Sequence, residues 1–181
     1  MQPAVIILDM SVGYGWAPGS YGYDLVAHVR RLKDAAHEAG VPVIHVNSMR
    51  RPADNVNNSA KLSASPGLDV IPELQPIDED TIIYKRFTGG FSHNDLDYTL
   101  RTMGVDTVCL AGAATDNCVL WTAGEAHQYR YKVVVVEDCT IVNRPTAPEG
   151  RWQAAIDIMR DVAKGDILNT DGVVAKYFTK Q

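Results

Sequence analysis

The stretch Thr107-Val108-Cys109-Leu110-Ala111-Gly112-Ala113-Ala114-Thr115-Asp116-Asn117-Cys118 decides the fold. Thr107 to Leu110 is a short apolar run, the pattern of a strand buried on both faces. Gly112-Ala113-Ala114 carries almost no side-chain bulk, so the backbone there can approach a neighbour or a ligand closely. Thr115 and Asp116 are both good N-caps, which predicts a helix from near Cys118 to about Tyr129 with Cys118 in its first turn. A strand, a tight turn and a helix in this order form the repeating unit of a parallel sheet wrapped in helices.

The same unit recurs on both sides. Ala4 to Leu8 is a continuous apolar run ending in Asp9, and a helix from about Asp24 to Ala39 follows, with Leu25, Val29, Leu32, Ala36 and Ala39 on one face and Gly40 stopping it. Val41 to Val46 predicts a second strand and Thr81 to Tyr84 a third, ending in Lys85. Between them Asn47 to Asp80 is long and irregular, rich in Asn, Ser and Asp, as loops that line functional clefts are. A helix over roughly Asn94 to Met103 is expected to turn Leu96, Thr99, Leu100 and Met103 inward. Lys132 to Val136 predicts a fifth strand, Glu149 to Val162 a helix, and Asp166 to Phe178 a last short strand and helix. The expectation is an α/β protein, a three-layer α/β/α sandwich around a mainly parallel sheet of roughly six strands, forming one domain over residues 1–181.

Three polar residues stand where apolar strands end: Asp9, Lys85 and, past the fourth strand's turn, Cys118. Ligands of open parallel sheets bind outside the carboxyl ends of the strands, so these residues are expected on one rim. A carboxylate can take the thiol proton and return it to a leaving amine, and an ammonium can stabilise the thiolate. Free N–H groups at a helix start favour a thiolate too, and can form an oxyanion hole. A lone cysteine is more often a small buried hydrophobe, and Cys109 and Cys139, in and just after strands, fit that description. Cys118 does not, because a polar turn precedes it. Tyr14, Trp16 and Tyr21 can wall a pocket, and Arg50, Arg51 and Arg144 can hold a substrate carboxylate. Trp121 is a candidate of the same standing. The glycines Gly13, Gly15 and Gly19 have the wrong spacing for a nucleotide loop. His28, His37, His93 and His127 have no partner visible in sequence, and His45 is expected to end the second strand.

Composition bounds the function classes. With 46% apolar and 22% charged residues the chain is globular, and a formal net charge of -5 argues against nucleic acid as a partner. Three unpaired-looking cysteines, no basic leader before an apolar stretch and no apolar run near membrane-spanning length lead us to expect a cytoplasmic protein without a membrane partner.

The strand ending in Asp9-Met10, the segment Lys85-Arg86-Phe87-Thr88-Gly89-Gly90-Phe91 and the stretch Gly112 to Cys118 resemble, in the right order, the three signatures of the isochorismatase-like cysteine hydrolases. Glu137-Asp138-Cys139 is similar as well. That family includes N-carbamoylsarcosine amidases, nicotinamidases, and ureidoacrylate and biuret hydrolases. The resemblance implies Asp9, Lys85 and Cys118 as a catalytic triad, a cis peptide between Ala113 and Ala114, and the N–H groups of Ala114 and Cys118 as an oxyanion hole. It implies cleavage of a C–N bond in a small amide or ureido compound with release of ammonia, with Phe91 beside the substrate. A homo-oligomer, dimer or tetramer, is expected with it. Gly89-Gly90 stands where Ser-Ala is common, which predicts a more flexible loop. Nicotinamidases carry metal-binding histidines after the second strand, whereas residues 47–80 here contain none, so neither a metal nor an organic cofactor is expected. The alternatives are a nicotinamidase-type hydrolase and a catalytically silent scaffold of the same fold.

Overall fold

The computed structural model describes residues 1–51, 53, 61–142 and 144–179. Residue 52 and residues 54–60, part of the expected cleft loop, lie outside the described residues. Six strands alternate with five helices: β1 (Pro3–Leu8), α1 (Asp24–Ala39), β2 (Val43–Ser48), β3 (Thr81–Lys85), α2 (Leu96–Thr102), β4 (Thr107–Ala113), α3 (Leu120–Gln128), β5 (Lys132–Ile141), α4 (Arg151–Asp161), β6 (Asp166–Leu168) and α5 (Thr170–Tyr177). The strands form one sheet in the order β3-β2-β1-β4-β5-β6, every neighbouring pair parallel.

Alternation along the strands divides the core into two layers. Ala4, Ile6 and Leu8 of β1 face α2, α3 and α4 through Leu96, Leu100, Ala123, Ala126, Ile156 and Met159. Val5 and Ile7 face α1 and α5 through Val26, Val29, Leu32, Val173 and Tyr177. Both faces of the sheet are therefore covered, which is why its strands read as unbroken apolar runs. The three-layer α/β/α sandwich expected from sequence is the observed fold. Among the described residues, no helix is long and apolar enough to cross a membrane.

Several boundaries differ from expectation, each for a local reason. β2 begins at Val43 and reaches Ser48, because Asn47 and Ser48 pair with Tyr84 and Lys85 of β3. β5 runs on to Ile141 rather than stopping at Val136. Its register against β4 slips between Leu110 and Gly112, so the strand bulges through the polar Glu137-Asp138 and pairs again at Thr140 and Ile141. Asp138 accepts the Thr170 amide at 2.9 Å and so ties the bulge to the start of α5. α2 ends at Thr102, and Met103, expected inward, is 37% exposed. His45 lies buried inside β2, and His37 finds a partner 43 residues away: its Nε2 lies 2.7 Å from Asp80 Oδ1. Asp80 Oδ2 is 3.7 Å from His45 Nε2, and contacts with the two histidines pull the Asp80 carboxyl below its ordinary range against the opposing effect of burial.

β1 and β4 pair through to their carboxyl ends, where Leu8 stands opposite Gly112. Gly112 has φ +102, and a Cβ there would collide with the Leu8 carbonyl oxygen. Only glycine meets both demands. This contact brings the ends of the two central strands together under the site.

Candidate active site

Asp9, the first residue after β1, has φ +56, a left-handed conformation that aspartate tolerates better than most residues. The turn is fixed by the Asp9 amide on the Val46 carbonyl at 3.1 Å and by Trp16 Nε1 donating to the Asp9 carbonyl at 3.2 Å. The carboxylate is buried at the carboxyl ends of β2 and β3. The Ser48 amide donates to Oδ1 at 2.7 Å, and Oδ2 is 2.9 Å from Lys85 Nζ.

Lys85, the last residue of β3, is fully buried. Its Nζ lies 3.1 Å from Ser48 Oγ, 3.3 Å from the Phe87 carbonyl, 3.2 Å from the Thr88 carbonyl and 3.3 Å from Cys118 Sγ. Burial by itself lowers the lysine pKa, but the facing Asp9 carboxylate and Cys118 sulfur outweigh it and the net shift is upward. The buried ammonium is held by one carboxylate and several oxygen acceptors.

Cys118 follows a turn that sequence read incorrectly. Ala114, not Thr115 or Asp116, precedes the helical segment, and Thr115–Val119 is a π-helical turn. The Asn117 and Val119 amides both donate to the Ala114 carbonyl, at 3.0 and 3.1 Å, and neither bond uses the Cys118 amide. The peptide bond between Ala113 and Ala114 is cis, as the resemblance implied. Cys118 is 6% exposed, and its thiol is pushed up to about 12, first by burial and then by the Asp9 carboxylate, against the pull of Lys85. Burial and the Asp9 carboxylate thus oppose ionisation of the thiol, and the Lys85 ammonium favours it.

Above these three residues opens a cavity of about 910 Å³. Asp9, Ala113, Ala114, Asn117 and Cys118 form its floor, with Tyr14, Trp16, Tyr21, Phe87 and the three arginines Arg50, Arg51 and Arg86 among its walls. Arg50 is braced across the mouth, its Nη1 donating to the Arg86 carbonyl and its amide to the Leu62 carbonyl at 2.8 Å. Tyr14 remains a neutral phenol, its pKa raised by burial and by Asp9.

Of the sequence-predicted residues, Asp9, Tyr14, Arg50, Arg51, Ala114 and Cys118 line this cavity and Lys85 lies against its floor, whereas Phe91, Trp121 and Arg144 do not line it among the described residues. Phe91 is buried in the core and stacks on Tyr129 at 5.3 Å between ring centroids. Trp121 points outward from α3 at 61% exposure, and Arg144 is an exposed loop residue. The loop after Lys85 is likewise not loose at Gly89-Gly90. The Gly90 amide donates to Thr122 Oγ1 and the Phe91 amide to Glu125 Oε2, at 2.9 and 2.8 Å, and the Glu125 carboxylate occupies the space a side chain at Gly89 would need. Sequence reasoning missed Arg86, Asn117 and Ser48. Arg86 follows a strand-end residue, so the rule that found Lys85 pointed to it as well.

Comparison with known proteins agrees with this geometry. Residues 3–170 match the isochorismatase domain. The N-carbamoylsarcosine amidase of Thermoplasma acidophilum superposes with a TM-score of 0.81 at 28% identity, over 94% of this chain and 98% of that one. Among curated sequences, the isochorismatase family protein YaaI of Bacillus subtilis is 25% identical over 96% of this chain and 97% of its own length. The maleamate amidohydrolase of Pseudomonas putida is 27% identical over 76% of this chain and 71% of its own. With a family domain spanning nearly its whole length, and with the strand-end residues meeting in one cleft, the chain belongs to the isochorismatase family.

Proposed function

We propose that the protein is a cysteine-dependent amidohydrolase that cleaves a C–N bond of a small amide or ureido compound and releases ammonia. The observation that carries this reading is a single ammonium, Lys85 Nζ, lying 2.9 Å from a carboxylate and 3.3 Å from a thiol sulfur at the floor of an open cavity. The names of the amidohydrolase and the amidase among its relatives support the reaction class.

Since burial and Asp9 oppose ionisation of the Cys118 thiol, attack is coupled to proton transfer. Asp9 accepts the thiol proton as Sγ bonds to the substrate carbonyl carbon. The carbonyl oxygen becomes an oxyanion that accepts hydrogen bonds from the Ala114 and Cys118 amides. The C–N bond then breaks, Asp9 returns the proton to the departing nitrogen, and ammonia leaves an acyl or carbamoyl thioester on Cys118. Water attacks that thioester, Asp9 takes its proton, the C–S bond breaks, and the thiol is restored by the same proton. Lys85 compensates the charge that passes between Asp9 and the sulfur.

A substrate carboxylate is read from three wall arginines, Arg50, Arg51 and Arg86, which among the described residues share the cavity lining with one acid, Asp9. An N-carbamoyl amino acid is our first choice, and nicotinamide should be poor. Ammonia release is to be measured across N-carbamoyl amino acids, ureidoacrylate, biuret, maleamate and nicotinamide, with native protein and Cys118→Ala. A lead of more than about tenfold for nicotinamide, near 1.4 kcal/mol in the transition state, defeats the substrate reading. Full activity of Cys118→Ala defeats the mechanism, and a Cys118 inert to iodoacetamide in a protein without turnover favours the silent scaffold.

A further inference from the structure

The residues that hold Lys85 in place are themselves held from the helix that follows the nucleophile. Lys85 Nζ has no solvent contact, and two of its acceptors are the backbone carbonyls of Phe87 and Thr88. As main-chain groups, those carbonyls are positioned by where the following residues are anchored. That anchor is α3. Thr122 Oγ1 donates to the Cys118 carbonyl at 2.6 Å and accepts the Gly90 amide at 2.9 Å. One turn on, the Glu125 carboxylate accepts the Phe91 amide at 2.8 Å and the Ser92 hydroxyl. Gly89 has no side chain to hold the carboxylate away. A hydroxyl that bonds the nucleophile's own carbonyl on one side and the lysine's loop on the other is a direct strut between the two, and Thr122 is fully buried.

We propose that Thr122 and Glu125 are positioning residues that set the distance between the Lys85 ammonium and Cys118 by clamping the loop from Phe87 to Ser92 onto α3. The proposal rests on the reading of Asp9, Lys85 and Cys118 as the reacting set. Without the clamp, the Phe87 and Thr88 carbonyls drift, the ammonium settles toward Asp9, and the sulfur loses its counter-charge. The thiol then ionises at higher pH.

The test is the pH dependence of Cys118 alkylation by iodoacetamide, with kcat and KM for the best amide of the panel, in Thr122→Val, Thr122→Ser, Glu125→Ala and Lys85→Met. Only variants with native circular dichroism are compared, and Glu125→Ala carries the test if Thr122→Val does not fold. We expect Thr122→Val and Glu125→Ala to alkylate about threefold more slowly at any pH below the thiol pKa, the effect of one pKa unit after the compensating rise in nucleophilicity. We expect kcat to fall with little change in KM, and Thr122→Ser, which keeps the hydroxyl, to restore the profile. If Lys85→Met moves the profile and folded clamp variants do not, the clamp is refuted while the catalytic reading stands. If Lys85→Met leaves the profile unchanged, the catalytic reading fails and the clamp with it. Failure of Thr122→Ser to restore the profile also overturns the strut.

Discussion

Replacing Asp9 with asparagine separates two effects that the native carboxylate combines. The bond from the Ser48 amide survives, since an amide oxygen accepts as a carboxylate oxygen does. The negative charge is lost, and among the described residues the sulfur is then the one group beside Lys85 Nζ able to take a negative charge. What the variant removes is the repulsion between the Asp9 carboxylate and the thiolate, one of the causes that raise the Cys118 thiol. With an effective dielectric near 20, neighbouring unit charges about 4 Å apart interact by about 4 kcal/mol. That is roughly 10³ in favour of the thiolate. A more acidic thiol gives a weaker nucleophile, which cancels about half of the gain on a logarithmic scale. Iodoacetamide should therefore alkylate Cys118 in Asp9→Asn about 30-fold faster than in the native protein at neutral pH. Ammonia release should meanwhile fall by about 10²–10⁴, because the proton shuttle is gone. Peptide mass spectrometry reads the first quantity, with Cys109 and Cys139 as internal controls, since burial pushes both thiols up to about 12. If alkylation falls together with turnover, the carboxylate does not keep Cys118 protonated, and the argument from its charge is wrong.

Other perturbations have equally definite signs. Gly112→Ala should cost about 3 kcal/mol in urea unfolding, because strain at positive φ adds to a backbone collision; a loss below about 1 kcal/mol contradicts the contact with Leu8. Phe91→Ala should cost about 3–5 kcal/mol, as a buried aromatic does, whereas Trp121→Ala should stay within about 0.5 kcal/mol and leave kcat/KM unchanged; the reverse order puts the substrate on the other side of α3. Asp166 is held down to about 2 by hydrogen bonds from Lys176 and Tyr177. A depressed carboxyl stabilises the fold above its unfolded pKa, near 3.9, and loses that contribution as pH falls through its folded value. Acid unfolding of Asp166→Asn should therefore be flatter between about pH 4 and 2, by no more than about 1 kcal/mol for so exposed a group. An identical acid limb in the two proteins removes Asp166 from the account.

The residues of the candidate site were legible because each interrupts a pattern. An apolar strand that ends in Asp9 or Lys85, or a small-residue turn before Cys118, marks the rim of a parallel sheet without any knowledge of side-chain direction. Phe91, Trp121 and Arg144 lie in loops or on a helix whose facing depends on packing, and proximity in sequence misassigned all three. The π-helical turn was hidden by Thr115 and Asp116, whose cap propensity is real but unused here. Ser48 was missed by a two-residue error at the end of β2, and that end is set by pairing with β3 rather than by the residues of β2 themselves. Pairs such as His37 and Asp80 meet across loops that carry no pattern.

Lys85 stands on β3, which has β2 on one side and, among the described residues, no strand on the other. Outer strands open at a small fraction of the free energy needed to unfold a sheet's centre. On the proposed mechanism, activity is thereby tied to an edge of the sheet, while Asp9 and the Cys118 turn follow its two most deeply enclosed strands. On warming, the enzyme should fall silent through fraying at this margin while its core is still intact, and should recover on cooling as the strand closes.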